Sequence, residues 1–191
     1  MNANVGMLYP VAATVQTYTP GSSISYKSGT GSNFAEAVSA SLSWERADGH
    51  FYGDDVELDS DNGVLGYTID FEPSGLSDAA RGLLLGETVS SSEYTITDAA
   101  APDVGFGYVR VMRDKGVTKY EGWWFYKLKF GVSSEETRTK ERSIEWRVPT
   151  LQGVGSGVSL DSTGTLSFCQ HKSFDTLAAA KSYLNGKAGI S

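Results

Sequence analysis

The chain has 191 residues, of which 40% are hydrophobic and 12% aromatic, enough for the core of one domain spanning residues 1–191. Its 22 glycines, 5 prolines and many serines and threonines are typical of a β-rich protein with frequent turns. The net charge is −7, and the sequence lacks the basic face and reading helix of a sequence-specific DNA-binding protein.

Charge is unevenly distributed along the chain. Residues 1–109 contain fifteen acidic and three basic residues, whereas residues 110–147 contain six acidic and ten basic residues. Segments of opposite charge can attract each other between copies of a chain, although both can equally be solvated surface. The single cysteine, Cys169, excludes an internal disulfide. No signal peptide and no run of roughly 20 apolar residues is visible, so we expect a soluble protein made in the cytoplasm.

The first 45 residues contain candidate strands separated by a polar segment. Residues 5–9 and 11–18 are apolar-rich and predict two short strands or an extended arm. Residues 19–33 are rich in glycine and serine, which predicts a flexible loop. Residues 38–45 alternate strictly between apolar and polar side chains, the pattern of a half-buried strand.

An acidic, aromatic loop over residues 48–62 follows this strand. Asn62-Gly63 is a turn signal that predicts a tight hairpin, because both residue types tolerate positive φ. Alternation resumes over residues 65–72, and a helix is predicted over residues 74–85. Ser74 or Ser77 can cap its N-terminus, and Gly86 suits its C-terminal end.

The clearest hairpin lies over residues 105–130. A strand over 106–113 leads through the turn Asp114-Lys115-Gly116 into a return strand over 119–130. Simple alternation along the return strand predicts that four side chains share one face: Trp124, Tyr126, Leu128 and Phe130. A polar connection over residues 90–102, with a short strand at 94–97, precedes the hairpin.

The C-terminal third contains weaker signals. Residues 133–142 are highly charged, and alternation over 144–148 predicts a short strand. The glycines of residues 153–157 predict a turn, residues 160–170 a strand with a turn at 162–164, and residues 174–185 a helix. Ser173 or Asp175 is the expected cap of this helix, and Asn185-Gly186 its end. Together the elements predict a mainly β fold, a β-sandwich or partly closed barrel, with one flanking helix and a short C-terminal helix.

No motif in the sequence predicts catalysis. The two histidines, His50 and His171, lie in no known hydrolase motif, and His50 close to Asp48 is more typical of an ordinary surface loop. Cys169 and His171 would share a face of a strand, which is weak support for metal or thiol chemistry. We expect Cys169 to pack as a small hydrophobic residue.

The acidic loop also fails as a calcium site. With Asp59 in the first position of a calcium-binding loop, Asp70 falls in the twelfth, but Val64 occupies the sixth position, where glycine is needed. No catalytic residue, metal site or cofactor is therefore predicted.

An ordered set of short segments carries a family resemblance. The segments are Ala40-Ser-Leu-Ser-Trp-Glu45, Phe51-Tyr-Gly-Asp-Asp55, Gly66-Tyr-Thr-Ile-Asp70, Leu76 to Gly86 with its Leu-Leu-Leu-Gly ending, and Tyr120-Glu-Gly-Trp-Trp-Phe-Tyr-Lys127 leading into Lys129-Phe130. In this order they resemble the major tail proteins, or tail tube proteins, of long-tailed bacteriophages of the phi13-type family. The resemblance covers roughly residues 7–150.

The resemblance implies a structural virion protein without catalytic activity. Such proteins form hexameric rings that stack into a tube, and the genome passes through the lumen during ejection. The implied partners are other copies of the chain, tape measure and tail terminator proteins, and passing double-stranded DNA that is not bound specifically. The implied location is the virion tail, assembled in the host bacterial cytoplasm.

Physical reasoning extends the resemblance to particular residues. Strands that pair across subunit edges would close the sheets into a lumen barrel, and DNA would slide best past acidic and small polar side chains. The candidate lumen-facing residues are Glu36, Ser39, Ser41, Ser43, Glu45, Asp70 and Glu72. The candidate inter-subunit contacts are His50, Phe51, Tyr52, Asp54, Asp55, Lys127, Lys129, Arg138 and Arg142.

Three alternatives stay open from the sequence. A carbohydrate- or ligand-binding β-sandwich could use four aromatic residues as a stacking platform: Trp44, Tyr52, Trp123 and Trp124. A head–tail connector or tail terminator would form one ring and no tube. A metal-dependent hydrolase could use Asp54, Asp55, His50 and His171.

Overall fold

A computed structural model describes residues 3–27, 32–33, 37–53, 56–90, 93–95, 100–134 and 148–190. In chain order its elements are β1 (Ala3–Thr19), β2 (Ser23–Tyr26), β3 (Ser32–Asn33), β4 (Ala37–Arg46), β5 (Gly49–Gly53), β6 (Val56–Asp61), β7 (Val64–Pro73), α1 (Asp78–Leu85), β8 (Thr88–Ser90), β9 (Glu93–Thr95), β10 (Val104–Asp114), β11 (Val117–Ser134), β12 (Thr150–Ser156), β13 (Val158–Ser159), β14 (Leu166–Ser167), β15 (Cys169–Phe174) and α2 (Leu177–Ala188).

The main sheet is antiparallel and folds into two layers that share β11. Its strand order is β2-β1-β10-β11-β12-β7-β4, with β15 beside β11 and β3 beside β1. We call β4, β7, β12 and residues 128–134 of β11 the front sheet. The back sheet consists of β1, β10, residues 117–125 of β11, and β15. The sheet does not close into a barrel, and the predicted mainly β, sandwich-like class is confirmed.

A β-bulge divides β11 between the two sheets. Val104 pairs with Leu128 but Phe106 pairs with Phe125, so β11 has one residue more than β10 across this interval. An extra residue reverses the faces on which later side chains lie. The predicted common face of Trp124, Tyr126, Leu128 and Phe130 is therefore wrong, because Leu128 and Phe130 lie in one core with Phe125, and Trp124 in another.

Two tyrosine hydroxyls satisfy the carbonyl groups at the bulge. The Tyr26 hydroxyl donates to the carbonyl oxygen of Tyr126 at 2.8 Å, and the Tyr67 hydroxyl donates to that of Lys127 at 3.0 Å. Burial raises the pKa of both phenols well above the ordinary value, so both remain hydrogen-bond donors. A buried carbonyl without such a donor destabilises a fold, so these two bonds support the bulge.

The larger core lies between the two sheets. Aromatic rings meet across it: Phe71 contacts Phe106 and Tyr67 contacts Phe125, each with a centroid separation of 5.2 Å. From α1, Ala80 and Leu84 contribute to the same core. A second core lies between the other face of the back sheet and α2, and its members include Val11, Val109, Trp124, Ala180 and Leu184.

The glycine-rich segment predicted as a turn is instead the central strand β12. It pairs with β11 on one side and β7 on the other. A Cβ atom on Gly155 would overlap the Tyr67 ring, and one on Gly153 would lie 2.7 Å from Leu128 and from Phe130. Glycine is needed here because large side chains from both neighbouring strands cross over the β12 backbone.

The first helix is shorter than predicted and the second begins later. Ser77, one of the two expected caps, accepts a hydrogen bond from Ala80, and α1 ends at Gly86 with φ 71°, as predicted. The second helix runs over Leu177–Ala188 rather than 174–185, and Thr176 is its cap. The reason is that Phe174 still pairs with Tyr120 in the sheet.

Several turns and loops also differ from prediction. The two N-terminal segments form the single strand β1, with a break in register between Leu8 and Val11, where Tyr9 has a positive φ of 55°. Part of the predicted flexible loop over 19–33 forms β2 and β3, which both pair with β1, and Tyr26 at the end of β2 donates to the Tyr126 carbonyl. Asn62-Gly63 joins β6 to β7, which do not pair with each other, so it is not a hairpin turn of paired strands.

The predicted hairpin of β10 and β11 is confirmed. Its turn places Lys115 at φ 47° and Gly116 at φ 87°, the two left-handed residues of a tight hairpin. The expected short strand at 94–97 is β9 at Glu93–Thr95, and the strand expected over 160–170 is divided between β14 and β15. The predicted charged segment over 133–142 and the strand over 144–148 lie mostly outside the described residues.

The close packing of Tyr67 on β12 gives a first prediction. Gly155→Ala should lower the free energy of unfolding by about 1–3 kcal/mol, because the added methyl group overlaps the ring. The matched control is Gly131→Ala, since a Cβ there meets nothing within 4 Å and its effect should be near zero or slightly stabilising. Urea denaturation of both variants measures this, and equal losses would contradict the packing argument.

The tyrosines at the bulge give a second prediction. Tyr67→Phe and Tyr26→Phe should each cost about 1–3 kcal/mol in urea denaturation, because each leaves a bulge carbonyl without its donor. Tyr183→Phe is the control, since the buried Tyr183 hydroxyl has no hydrogen-bond partner in the described part of the chain. We expect that change to be neutral or stabilising, and a loss as large as the other two would argue against a special role for the bulge.

Candidate functional site

The outer side of the front sheet is a mostly polar surface, with the exposed Val154 as an apolar member. Across it, Ser41 pairs with Asp70 and Asp70 with Gln152, while Ser43 pairs with Thr68 and Thr68 with Val154. The register extends these rows to Lys129 and Gly131 of β11. We call this surface the polar face; its members are Ser39, Ser41, Ser43, Glu45, Thr68, Asp70, Glu72, Lys129, Gly131, Gln152, Val154 and Ser156.

Alternation produces this surface because every second side chain of the same strands points into the core. Ile69, Phe71 and Leu151 are fully or almost fully buried, and Leu42 packs against the same core. On the polar face itself, the Ser39 hydroxyl donates to Glu72 at 2.7 Å and the Gln152 amide donates to Asp70 at 3.0 Å. The face is therefore tied together by hydrogen bonds between its own small polar and acidic groups.

Two lysines lie at the β11 side of the polar face. Lys127 Nζ is 3.4 Å from Asp103 Oδ2 and lies over the Tyr18 ring, 5.3 Å from its centroid. Lys129 Nζ is 3.9 Å from Asp103 Oδ1. One carboxylate thus contacts both ammonium groups.

The structure brings together six of the seven residues predicted to face a lumen. Ser39, Ser41, Ser43 and Glu45 lie on β4, and Asp70 and Glu72 lie beside them on β7. Glu36, the seventh, lies outside the described residues. The face that these residues share was predicted correctly, whereas its orientation in an assembly stays a prediction.

The predicted inter-subunit contacts are spread over different elements. His50, Phe51 and Tyr52 lie in β5, which pairs with β6 in a separate two-stranded hairpin. His50 Nε2 is 3.0 Å from Asp48 Oδ1. Lys127 and Lys129 lie in β11, where both contact Asp103 of the same chain. The other four, Asp54, Asp55, Arg138 and Arg142, lie outside the described residues.

Sequence reasoning missed the contribution of β12. Gln152, Val154 and Ser156 are exposed on the polar face, while Leu151, Gly153 and Gly155 are buried. The missed signal is a strand alternation of period two in which glycines, instead of large apolar residues, occupy buried positions. Asp103 was also missed, and no sequence signal marks it because its contact with the lysines depends on the bulge.

The tryptophans proposed as a sugar-stacking platform do not lie together. Trp124 is fully buried under α2, and Trp123 lies on the opposite face of β11. Trp44 lines an open cavity of about 450 Å³ with Phe168 and Cys169, while Trp123 lines a separate cavity of about 180 Å³. Cys169 packs against the larger core, as expected, and burial raises the pKa of its thiol.

Trp123 is enclosed by a polar cluster. His171 stacks on its ring at a centroid distance of 4.5 Å, and the Arg110 guanidinium lies 4.7 Å from the ring centroid. Glu121 accepts hydrogen bonds from Arg110 at 2.6 Å and from the Trp123 indole at 3.1 Å. Partial burial would raise the pKa of Glu121, but these hydrogen bonds outweigh it and hold the pKa below its ordinary value.

The candidates for metal chemistry are not assembled by the described residues. His171 stacks on Trp123, His50 contacts Asp48, and no group of three or more His, Cys, Asp or Glu side chains forms a metal site in the described part of the chain. Of the described helices, neither is long and apolar enough to cross a membrane. No model of a known protein family matches the chain, and no curated protein matches it.

The Glu121 cluster gives a pH prediction. Because the folded-state pKa is lowered, the carboxylate stabilises the fold above its ordinary value of 4.5, and this contribution is lost as the pH falls below it. Unfolding free energy measured from pH 7 to pH 3 should therefore fall less in Glu121→Gln than in the wild type. Arg110→Gln should likewise reduce the fall in unfolding free energy between pH 7 and pH 3. An unchanged pH profile in both variants would contradict the assignment.

Proposed function

We propose that the chain is the repeating subunit of a bacteriophage tail tube, self-assembling into stacked hexameric rings that conduct DNA during ejection. The observation that carries the proposal is the front sheet, which combines a polar, acidic outer face with two edges that no described strand covers. Small hydroxyl, amide and carboxylate groups on this face suit a surface past which a polyanion slides, because they offer few cations to its phosphates.

The two open edges lie on opposite sides of the front sheet. On one side β4 pairs only with β7 among the described strands. On the other side, residues 129–134 of β11 pair with β12, while the pairing of β11 with β10 ends at Leu128. Uncovered strand edges favour pairing with another chain, so each edge is a candidate partner for the other edge of a neighbouring copy.

The direction of the strands favours such a contact. Every neighbouring pair in the front sheet is antiparallel, and the sheet has four strands, so β4 and β11 run in opposite directions. Rotation about a ring axis therefore brings β4 of one copy antiparallel to β11 of the next. A head-to-tail contact of this kind forms a ring when the rotation closes, and such a ring keeps every polar face on one side.

The size of the resulting barrel suits a DNA conduit. Six copies would contribute roughly 24 strands, and at a spacing of ~4.8 Å and a tilt of ~40° these enclose a backbone diameter of roughly 50 Å. Such a lumen is wider than a DNA duplex after side chains are added. Tape measure and tail terminator proteins are the further partners expected of a tube.

Disulfide trapping tests the edge contact directly. In a Cys169→Ala background, Gly131→Cys is combined in turn with Ser39→Cys, Ser41→Cys and Ser43→Cys. Positions on one face of paired strands lie ~5 Å apart, within disulfide reach, but within one copy β4 and β11 are separated by two strands. We expect one combination to give an oxidation ladder that ends at a covalent hexamer on denaturing gels.

The matched control is Ser41→Cys with Ser156→Cys, since Ser156 lies on the same face but in the inner strand β12. It should not form a ladder. Electron microscopy of concentrated protein should show six-fold rings or hollow tubes. Rings that never stack would favour the connector or terminator alternative, and a monomer under all conditions would contradict assembly altogether.

A further inference from the structure

The polar face carries a local exception to its acidic character. Among the described residues, Lys129 lies on the polar face and Lys127 borders it at the bulge, and both are positively charged. The acidic residues of the face are Glu45, Asp70 and Glu72. The lysines are two positions apart in β11, close enough to contact one anionic ligand together. Two neighbouring lysines are the kind of group that retains DNA through its phosphates.

Asp103 contacts both of these lysines. It immediately precedes β10, and its carbonyl oxygen accepts a hydrogen bond from the Val15 amide at 2.9 Å, which fixes its backbone. One carboxylate oxygen lies 3.4 Å from Lys127 Nζ and the other 3.9 Å from Lys129 Nζ. The Asp103 and Lys127 side chains are 34% and 26% exposed, so this pair is less screened by water than a fully exposed one.

We propose that Asp103 keeps the polar face from binding DNA by occupying the two ammonium groups that would otherwise capture phosphates. The inference rests on the proposed function, since it explains how a face with two lysines lets DNA pass. The bulge contributes to this arrangement, because the extra residue of β11 sets the positions of Lys127 and Lys129 relative to the start of β10, which Asp103 precedes. The Lys127 ammonium also lies over the Tyr18 ring, 5.3 Å from its centroid.

The test is DNA binding by Asp103→Asn, measured by fluorescence anisotropy with a labelled 30-base-pair duplex from 25 to 200 mM NaCl. Release of two lysines should raise affinity about tenfold or more at the lowest salt and steepen the slope of log K against log salt by about 1.8. Adding Lys127→Gln and Lys129→Gln in the Asp103→Asn background should return both values to those of the wild type.

Asp175→Asn is the charge-matched control. It removes one carboxylate beside Lys119, at 4.0 Å, on the segment between β15 and α2 rather than on the polar face. Equal DNA binding by the two single variants would overturn the proposal, because net charge alone would then explain the gain. Tight wild-type binding that requires both lysines would overturn it as well.

The binding assay is separable from the assembly assay. Thermal unfolding first confirms that Asp103→Asn is folded, and Asp103→Ser, which also lacks the carboxylate, replaces it if the asparagine variant is unstable. DNA binding is measured at protein concentrations too low for ring assembly. If disulfide trapping fails, the tube proposal is contradicted, but the effect of Asp103 on DNA binding can still be measured. Conversely, trapped rings with no gain in DNA binding would overturn only the role of Asp103.

Discussion

The hydroxyl groups of Tyr26, which packs against the core under α2, and of Tyr67, in the core between the sheets, donate to consecutive carbonyl oxygens of β11. They support the bulge at which β11 passes from the back sheet to the front sheet. Because the bulge reverses the faces of β11, it places Trp124 under α2 but Leu128 between the sheets. The division of β11 side chains between the two cores therefore depends on the bulge that these two hydrogen bonds support.

The chemistry of the polar face follows from the same arrangement. Ser39 donates to Glu72 and Gln152 donates to Asp70 across neighbouring strands, so both carboxylates are held in place without a ligand. Such a surface has the character of a lining more than of a binding pocket, since it extends across four strands and is mostly polar. The proposed structural role in a conduit is consistent with such a surface.

Sequence reasoning predicted the parts of the fold that are governed by local patterns. Alternation identified β4 and β7 with the correct faces, and turn chemistry identified the hairpin at Lys115-Gly116. It failed where contacts distant in sequence determine the local structure. Gly153 and Gly155 are typical of a turn in sequence, but in the fold they make room for the Phe130 and Tyr67 rings. Phe174 extends a strand because Tyr120 is its partner, and the position of a bulge has no local signal.

The membership of β11 in both sheets has a mechanical consequence. In an ordinary sandwich the layers are joined by loops and packing, so they can slide past each other at the cost of side-chain contacts alone. Here a continuous strand crosses from one layer to the other, and β10, β12 and β15 pair with successive parts of it. Shear between the two layers therefore strains this backbone as well as the side-chain contacts between them.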